Sequence, residues 1–329
     1  MRFCFFLFIF SFISCSYESE IEKIDEINTN NEVKWSINKD DLEGEIGLFK
    51  VMNSPKFVNV SEIDKLNDSD KVALVSFKNE VRIYPYYYTN YYEVVNDVFD
   101  ENHIAISYCP ITESAICFNR NINGKIYDVI ASGYLYKDNM VASNKNHDFY
   151  WSQMLLKVIG GVNQEKTIDY YNLIETTWKT AKTFFPSAKV FYHNNIISAK
   201  KKKKQSTNSM LMYGVLNKKV EEEIEIFSYD LFNSETKIIY KILNNRNVIV
   251  VGNKKKSIIT SYYTKESLNF NILNEDNFPN ILTDNEGNIW NIFGYAISGP
   301  RKGEQLKSPR GYIAQEWAWK DFYKNLIIN

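Results

Sequence analysis

The chain has 329 residues, 44% of them hydrophobic and 15% aromatic, with 23 Tyr and 21 Phe; this is enough to build a core and favours β-rich packing. Its 39 Lys and Arg against 40 Asp and Glu leave a net charge of −1, which gives no electrostatic footprint for nucleic acid. Four cysteines in this length are not a disulfide scaffold, and the three scattered histidines form no H-x-x-x-H. No C-x-x-C, Walker, Rossmann or nucleophile-elbow pattern is present, so no resident metal or cofactor is expected.

In chain order, Arg2 is followed by the apolar run Phe3 to Phe12, which closes on Ile13-Ser14-Cys15. A basic start, a greasy core too short to span a bilayer and a small residue before a cysteine describe a lipoprotein signal. Residues 1–14 are expected to be removed and Cys15 to carry the lipid, although Phe12 stands where the usual box has Leu. The chain is then extracytoplasmic and anchored to the outer membrane, on its periplasmic or cell-surface face. Residues 15–40 are polar and read as a flexible tether, and the acidic stretch Ser16-Tyr17-Glu18-Ser19-Glu20 resembles a surface-export signal of Bacteroidetes lipoproteins.

Residues 41–329 read as one large domain, with a possible division into halves near 199–208. Lys71 to Phe77 and Glu80 to Tyr84 are β-rich runs forming a hairpin, and Pro85 stops the second. The Tyr-rich piece that follows suits a helical turn. His103 to Tyr108 is a strand ending at Cys109-Pro110, Ser114 to Asn119 begins another, and Lys125 to Tyr136 a third after the turn Asn123-Gly124. Thr177 to Phe185 is helical and is stopped by Pro186. The lysines Lys200 to Lys204 repel one another and read as a solvated loop. Ile224 to Phe227, Lys237 to Ile242, Asn247 to Val251 and Ser257 to Tyr263 read as strands. Asp284 to Gly287 is a turn, and Tyr312 to Tyr323 a short aromatic helix. The fold expected is α+β, predominantly β, with antiparallel sheets in a compact barrel- or sandwich-like domain and a few short helices.

The candidate centre is Tyr108-Cys109-Pro110-Ile111-Thr112-Glu113-Ser114-Ala115. A strand ends at a cysteine, proline restricts the next φ, and hydroxyl residues follow. Backbone N–H groups of such a turn, with the hydroxyls of Thr112 or Ser114, can stabilise a thiolate. The competing reading is a small buried apolar residue, the commonest fate of a free cysteine. Cys117 faces Cys109 if the turn centres on Glu113, whereas a turn centred between Thr112 and Glu113 sets Cys109 opposite Ile116; a disulfide requires the former. His103 lies roughly 20 Å along the strand from Cys109, too far for a Cys–His pair.

Several blocks in order resemble a bacterial family, domain of unknown function 3179, from about residue 45 to 325. Asn90 to Asp97 is similar to its N-W-H-E-I-V-N-D. Tyr108 to Ala115 is similar to its Y-C-P-L-[CT]-G-[ST]-[AG], and Ser132 to Asn139 to its S-G-L-L-Y-x-S-N. Trp151-Ser152-Gln153, Asn291 to Gly294 and Trp317 to Trp319 follow. Many members carry a second cysteine or a selenocysteine in the Cys-Pro motif, so the resemblance implies thiol redox chemistry. Here the resolving position is Thr112, the histidine before the glutamate is Tyr92, and the usual glycine is Glu113. These departures count against dithiol chemistry and a histidine-assisted metal site. What stays is a monothiol at Cys109, with Thr112 and Ser114 as hydrogen-bond donors and Glu93 to move a proton. Asn90, Asn96, Asn139 and Gln153 form a polar set, and Tyr136 and Trp151 are candidate pocket walls. The leading expectation is a thiol-dependent redox or thiol-transfer protein acting on a small molecule or an envelope protein. The alternatives are a non-catalytic metal- or small-ligand-binding module and a structural protein of the cell envelope.

Overall fold

Where a strand reads as a continuous apolar run, both of its faces must be covered. Lys71–Phe77 buries four successive residues and Asn102–Cys109 six, so the sheets that hold them are inner layers. The computed structural model describes residues 33–47, 49–78, 80–194, 210–216, 223–243 and 245–329. Cys15, the acidic stretch after it and Lys200 to Lys204 lie outside the described residues. Strands take 50% of the residues and helices 11%, which sets the class as α+β, predominantly β and sandwich-like.

The sheet that carries Cys109 has the spatial order Tyr170–Tyr171, Ser114–Asn119, Asn102–Cys109, Val94–Phe99, Met52–Asn53. One of its faces packs on the sheet ordered Ile174–Thr177, Lys71–Phe77, Glu80–Pro85, Lys189–Phe191, Phe57–Asn59, through a core of Ala73, Val75, Tyr84, Val95, Ile106, Cys117 and Phe191. Its other face meets the sheet Leu42–Gly44, Val129–Tyr136, Asn139–Asn144, Phe149–Ser152, Lys157–Gly161. There the Phe118 ring stands edge-on to Trp151 at 5.7 Å. Asn96 pins the two sheets together, donating to the Val129 carbonyl at 2.8 Å and accepting the Val129 N–H at 2.9 Å.

The Lys71 sheet buries its far face in a second core, with Trp178 from the helix Trp178–Phe184 and with Ile249, Tyr262 and Trp290 from the hairpin sheet Lys237–Leu243, Arg246–Asn253, Ile258–Tyr263 and the small sheet Phe270–Ile272, Asn280–Asp284, Ile289–Asn291, Ala296–Ser298. A third core, with Tyr213, Phe227 and Ile313, closes the sheet Arg310–Gln315, Leu211–Leu216, Ile224–Ser228, Leu326–Ile328. Residues 34–329 cluster as one unit. Residues upstream of Asp40 already pack on it: the Trp35 ring lies 5.0 Å from Tyr150, and Ser36 donates its backbone N–H to the Ile159 carbonyl.

Most expected elements are present. The hairpin is Lys71–Phe77 with Glu80–Pro85, and the Tyr-rich piece is the helical turn Tyr86–Thr89. The helix Trp178–Phe184 is capped by Thr177, whose side chain accepts the Thr180 N–H. Two expectations are corrected. Lys125 to Tyr136 is not one strand: Lys125–Ile126 pairs back onto Asn121–Ile122, and Val129–Tyr136 begins afresh in another sheet. Tyr312 to Tyr323 is not all helix. Arg310–Gln315 is a strand paired with Leu211–Leu216, and the helix is Glu316–Phe322. The alternation of Tyr312 and Ala314 against Ile313 suits a strand, and the bare face of Gly214 lets the Trp319 ring sit where a Cβ would be 2.3 Å away.

Candidate functional site

The hairpin Asn102–Cys109 to Ser114–Asn119 sets the geometry. Its register places Cys109 opposite Ser114 and Ile106 opposite Cys117. The loop is therefore Pro110 to Glu113, and neither turn centre weighed from the sequence is realised. Side chains alternate along a strand, so the two cysteines point to opposite faces of the sheet. Both are free and buried, and a Cys109–Cys117 disulfide does not form. Cys117 lies in the core against Ile106, where burial pushes its thiol far above the ordinary range.

On the Cys109 face the structure brings together Thr112, Ser114, Asn139 and Gln153, all at most 1% exposed, and adds Ser107. The Met154 N–H donates to Asn139 Oδ1 at 3.1 Å, which turns the Asn139 amide donors inward. These reach Thr112 Oγ1 and Gln153 Oε1, each at 2.9 Å. Ser114 Oγ donates to the same Gln153 oxygen at 2.7 Å. Gln153 Nε2 donates to Ser107 Oγ at 2.9 Å, and Ser107 donates to the Ile116 carbonyl. With those protons assigned, the Thr112 hydroxyl hydrogen has two directions left. It can point to Ser114 Oγ, 2.8 Å away, or to the Cys109 sulfur, to which Thr112 hydrogen-bonds through its side chain and backbone.

Cys109 is 1% exposed, and its Sγ lies 3.9 Å from the Asp138 carbonyl oxygen. Burial pushes the thiol up. The Thr112 hydroxyl, the Thr112 backbone N–H and the Met140 N–H work in the opposite sense, while the neighbouring Glu93 charge raises it further. The thiol is thus not acidic by itself, unlike the expected turn-activated thiolate. Glu93 is half-buried as a residue, but its carboxyl is withdrawn from water and pushed up to about 7. Its backbone has φ +57°, in the left-handed region, and its carbonyl accepts the Tyr108 N–H at 2.8 Å, which ties it to the cysteine strand. Glu113 also has a positive φ, +51°, so this turn position favours the glycine that the resembling family has there.

The other sequence candidates are dispersed. Asn96 joins sheets through the backbone of Val129 and does not reach the cysteine network. Asn90 closes the turn after Tyr86–Thr89, and its Oδ1 is buried without a partner among the described residues. Tyr136 packs edge-on to Phe322 at 5.4 Å, and Trp151 stacks on Phe149 at 5.3 Å with its Nε1 unpartnered among the described residues. Tyr92 donates to or accepts from His193 Nε2 at 2.7 Å, a pairing across 101 positions.

Sequence reasoning missed a second buried group beside the first. Glu175, on Ile174–Thr177, shares a sheet face with Lys71. Burial pushes its carboxyl up to about 8, although Lys71 and the nearby Tyr86 hydroxyl favour the charged form. Tyr86 stacks on Tyr108 at 4.0 Å, and Lys71 donates to Ser257 Oγ at 2.5 Å. Ser107 had a signal in the sequence, since it shares strand parity with Cys109; Glu175 and His193 had none, because only tertiary pairing brings them near.

Fold and site define a predominantly β, sandwich-like α+β protein built around a buried, hydrogen-bonded cysteine at a hairpin end. A family model described as "Protein of unknown function (DUF3179)" matches residues 50–326, and the chain belongs to that family. No curated protein and no solved structure matches the chain.

Proposed function

We propose that this protein is a thiol-dependent redox or thiol-transfer protein in which Cys109 is the nucleophile and Glu93 its proton acceptor. The observation that carries the reading is a carboxyl held near neutrality by burial, close enough to a buried thiol for its charge to act on it. A general base works best with a pKa near the working pH. Glu93 takes the Cys109 proton, and the Thr112 hydroxyl turns from Ser114 to the thiolate. The sulfur attacks one sulfur of a disulfide substrate, the Cys109–S bond forms and the substrate S–S bond breaks. The leaving thiolate then takes the proton from Glu93. With Thr112 at the resolving position, a second thiol from outside the chain must release the product.

Exposure to a small disulfide such as oxidised glutathione tests this. A mixed disulfide on Cys109, detected by mass, lost in Cys109→Ser and slowed in Glu93→Gln, is the expected result; no adduct on Cys109 at any pH up to about 9, near the free thiol value, contradicts it. The 1% exposure of Cys109 and the closed network around it favour a second reading, a small-ligand-binding module in which the cysteine is a wall. The apolar run before Cys15 supports a lipid anchor that places this chemistry outside the cytoplasm, where disulfide substrates persist.

A further inference from the structure

We infer that a separate aromatic-walled cleft is a binding site for a small anion bearing a flat or apolar ring face, such as an acidic sugar or an aromatic carboxylate. The cleft has a volume of about 420 Å³, within the range of small-molecule sites, and shares no residue with the Cys109 network. Its walls are Phe77, Tyr170, Tyr171, Phe293 and Tyr295, with the Tyr171 ring edge-on to Phe77 at 4.9 Å. Such faces stack on planar rings or on the C–H face of a sugar.

Charge and hydrogen bonding choose among ring-bearing ligands. Lys307 and Arg310 line the cleft and no Asp or Glu does. Neither cation has an ion-pair partner among the described residues. Arg310 is half-buried, so its charge is only partly met by water. Asn172, also in the lining, has a buried Nδ2 with no hydrogen-bond partner among the described residues. A buried donor without an acceptor is uncommon and costly. Two cations without an ion-pair partner among the described residues, set beside aromatic faces, complement a carboxylate on a ring. They repel a cationic ligand and offer a neutral sugar only the stacking surface.

Isothermal titration and ligand-observed NMR on the full chain, with glucuronate, benzoate and glucose as probes, test the inference. Glucuronate or benzoate should bind and glucose should not; glucuronate alone identifies an acidic sugar, benzoate alone an aromatic acid. Arg310→Gln should weaken binding about tenfold or more, the loss of one charge-assisted contact, and Cys109→Ser should leave it unchanged. Lys307→Gln, at an exposed position, repeats the test should the Arg310 variant fail to fold. The inference is overturned if neither anion binds at up to about 10 mM, beyond the millimolar range of weak ligands. It is equally overturned if glucose binds as well as the anions, or if both charge variants bind them unchanged.

Discussion

Replacing Thr112 by Val keeps the shape of the side chain and removes one oxygen and one proton from a closed network. The Asn139 amide then loses an acceptor 2.9 Å away, and the Ser114 hydroxyl a neighbour at 2.8 Å, in a place where neither residue exceeds 1% exposure. A buried donor left without a partner costs about 1–3 kcal/mol. The urea midpoint should therefore fall with its slope unchanged, and the melting temperature should drop by a few degrees, since about 1 kcal/mol moves a large domain by roughly 2–4 °C. Asn139→Leu removes the other side of the same bond. In a double-mutant cycle the two losses should not add, with an interaction energy of about 0.5–3 kcal/mol. Urea denaturation of the four proteins, followed by tryptophan fluorescence, reads this directly. A Thr112→Val protein within about 0.5 kcal/mol of the parent would place that hydroxyl in an ordinary surface-like environment and refute the proton assignment.

Glu113→Gly should be at least as stable as the parent, because φ +51° suits glycine, whereas Glu113→Val should lose about 1–3 kcal/mol; thermal melts of the pair check it. Glu175 binds its proton more tightly folded than unfolded, so its contribution to stability is present below about pH 4.5 and is lost as the pH rises towards about 8. Urea midpoints measured across that window should decline less steeply in Glu175→Gln than in the parent, and parallel slopes would count against a buried carboxylic acid there. Cys15→Ala should release the protein from the membrane fraction or block its processing, and unchanged fractionation with an unchanged mature mass would remove the lipid anchor.

The strands that carry the site could be read from residue patterns. KVALVSF and the run up to Cys109 are mostly apolar, and Pro85, Pro186 and the turn residues end elements where expected. Thr112, Ser114, Asn139 and Gln153 were each named from the chain, and they meet in one network. What escaped was whatever depends on register. The register of the hairpin decides whether Cys117 or Ser114 stands opposite Cys109, a difference of three positions that also turns Cys117 to the opposite core, and local sequence does not set it. The burial of Cys109, one of two readings open in the sequence, was settled by tertiary packing. A cysteine at a strand end looks exposed until the sheet that holds the strand Asn139–Asn144 is laid over it. The strand Arg310–Gln315 was hidden by an aromatic composition that serves a helix equally well, and its identity came from pairing with Leu211–Leu216.

The rate of Cys109 alkylation as a function of pH, in the parent and in Glu93→Gln, tests the central claim most directly. The Cys109 and Cys117 adducts are resolved by mass. In the parent, Cys109 should react faster than Cys117, and its rate should rise through an inflection near pH 7, where Glu93 loses its proton and becomes able to accept that of the thiol. In Glu93→Gln that inflection should vanish, leaving only the slow rise of a buried thiol at higher pH. A Cys109 that stays inert up to about pH 9 in the folded protein, or a profile identical in the two proteins, would contradict the Cys109–Glu93 couple and leave the cysteine as a wall of the fold.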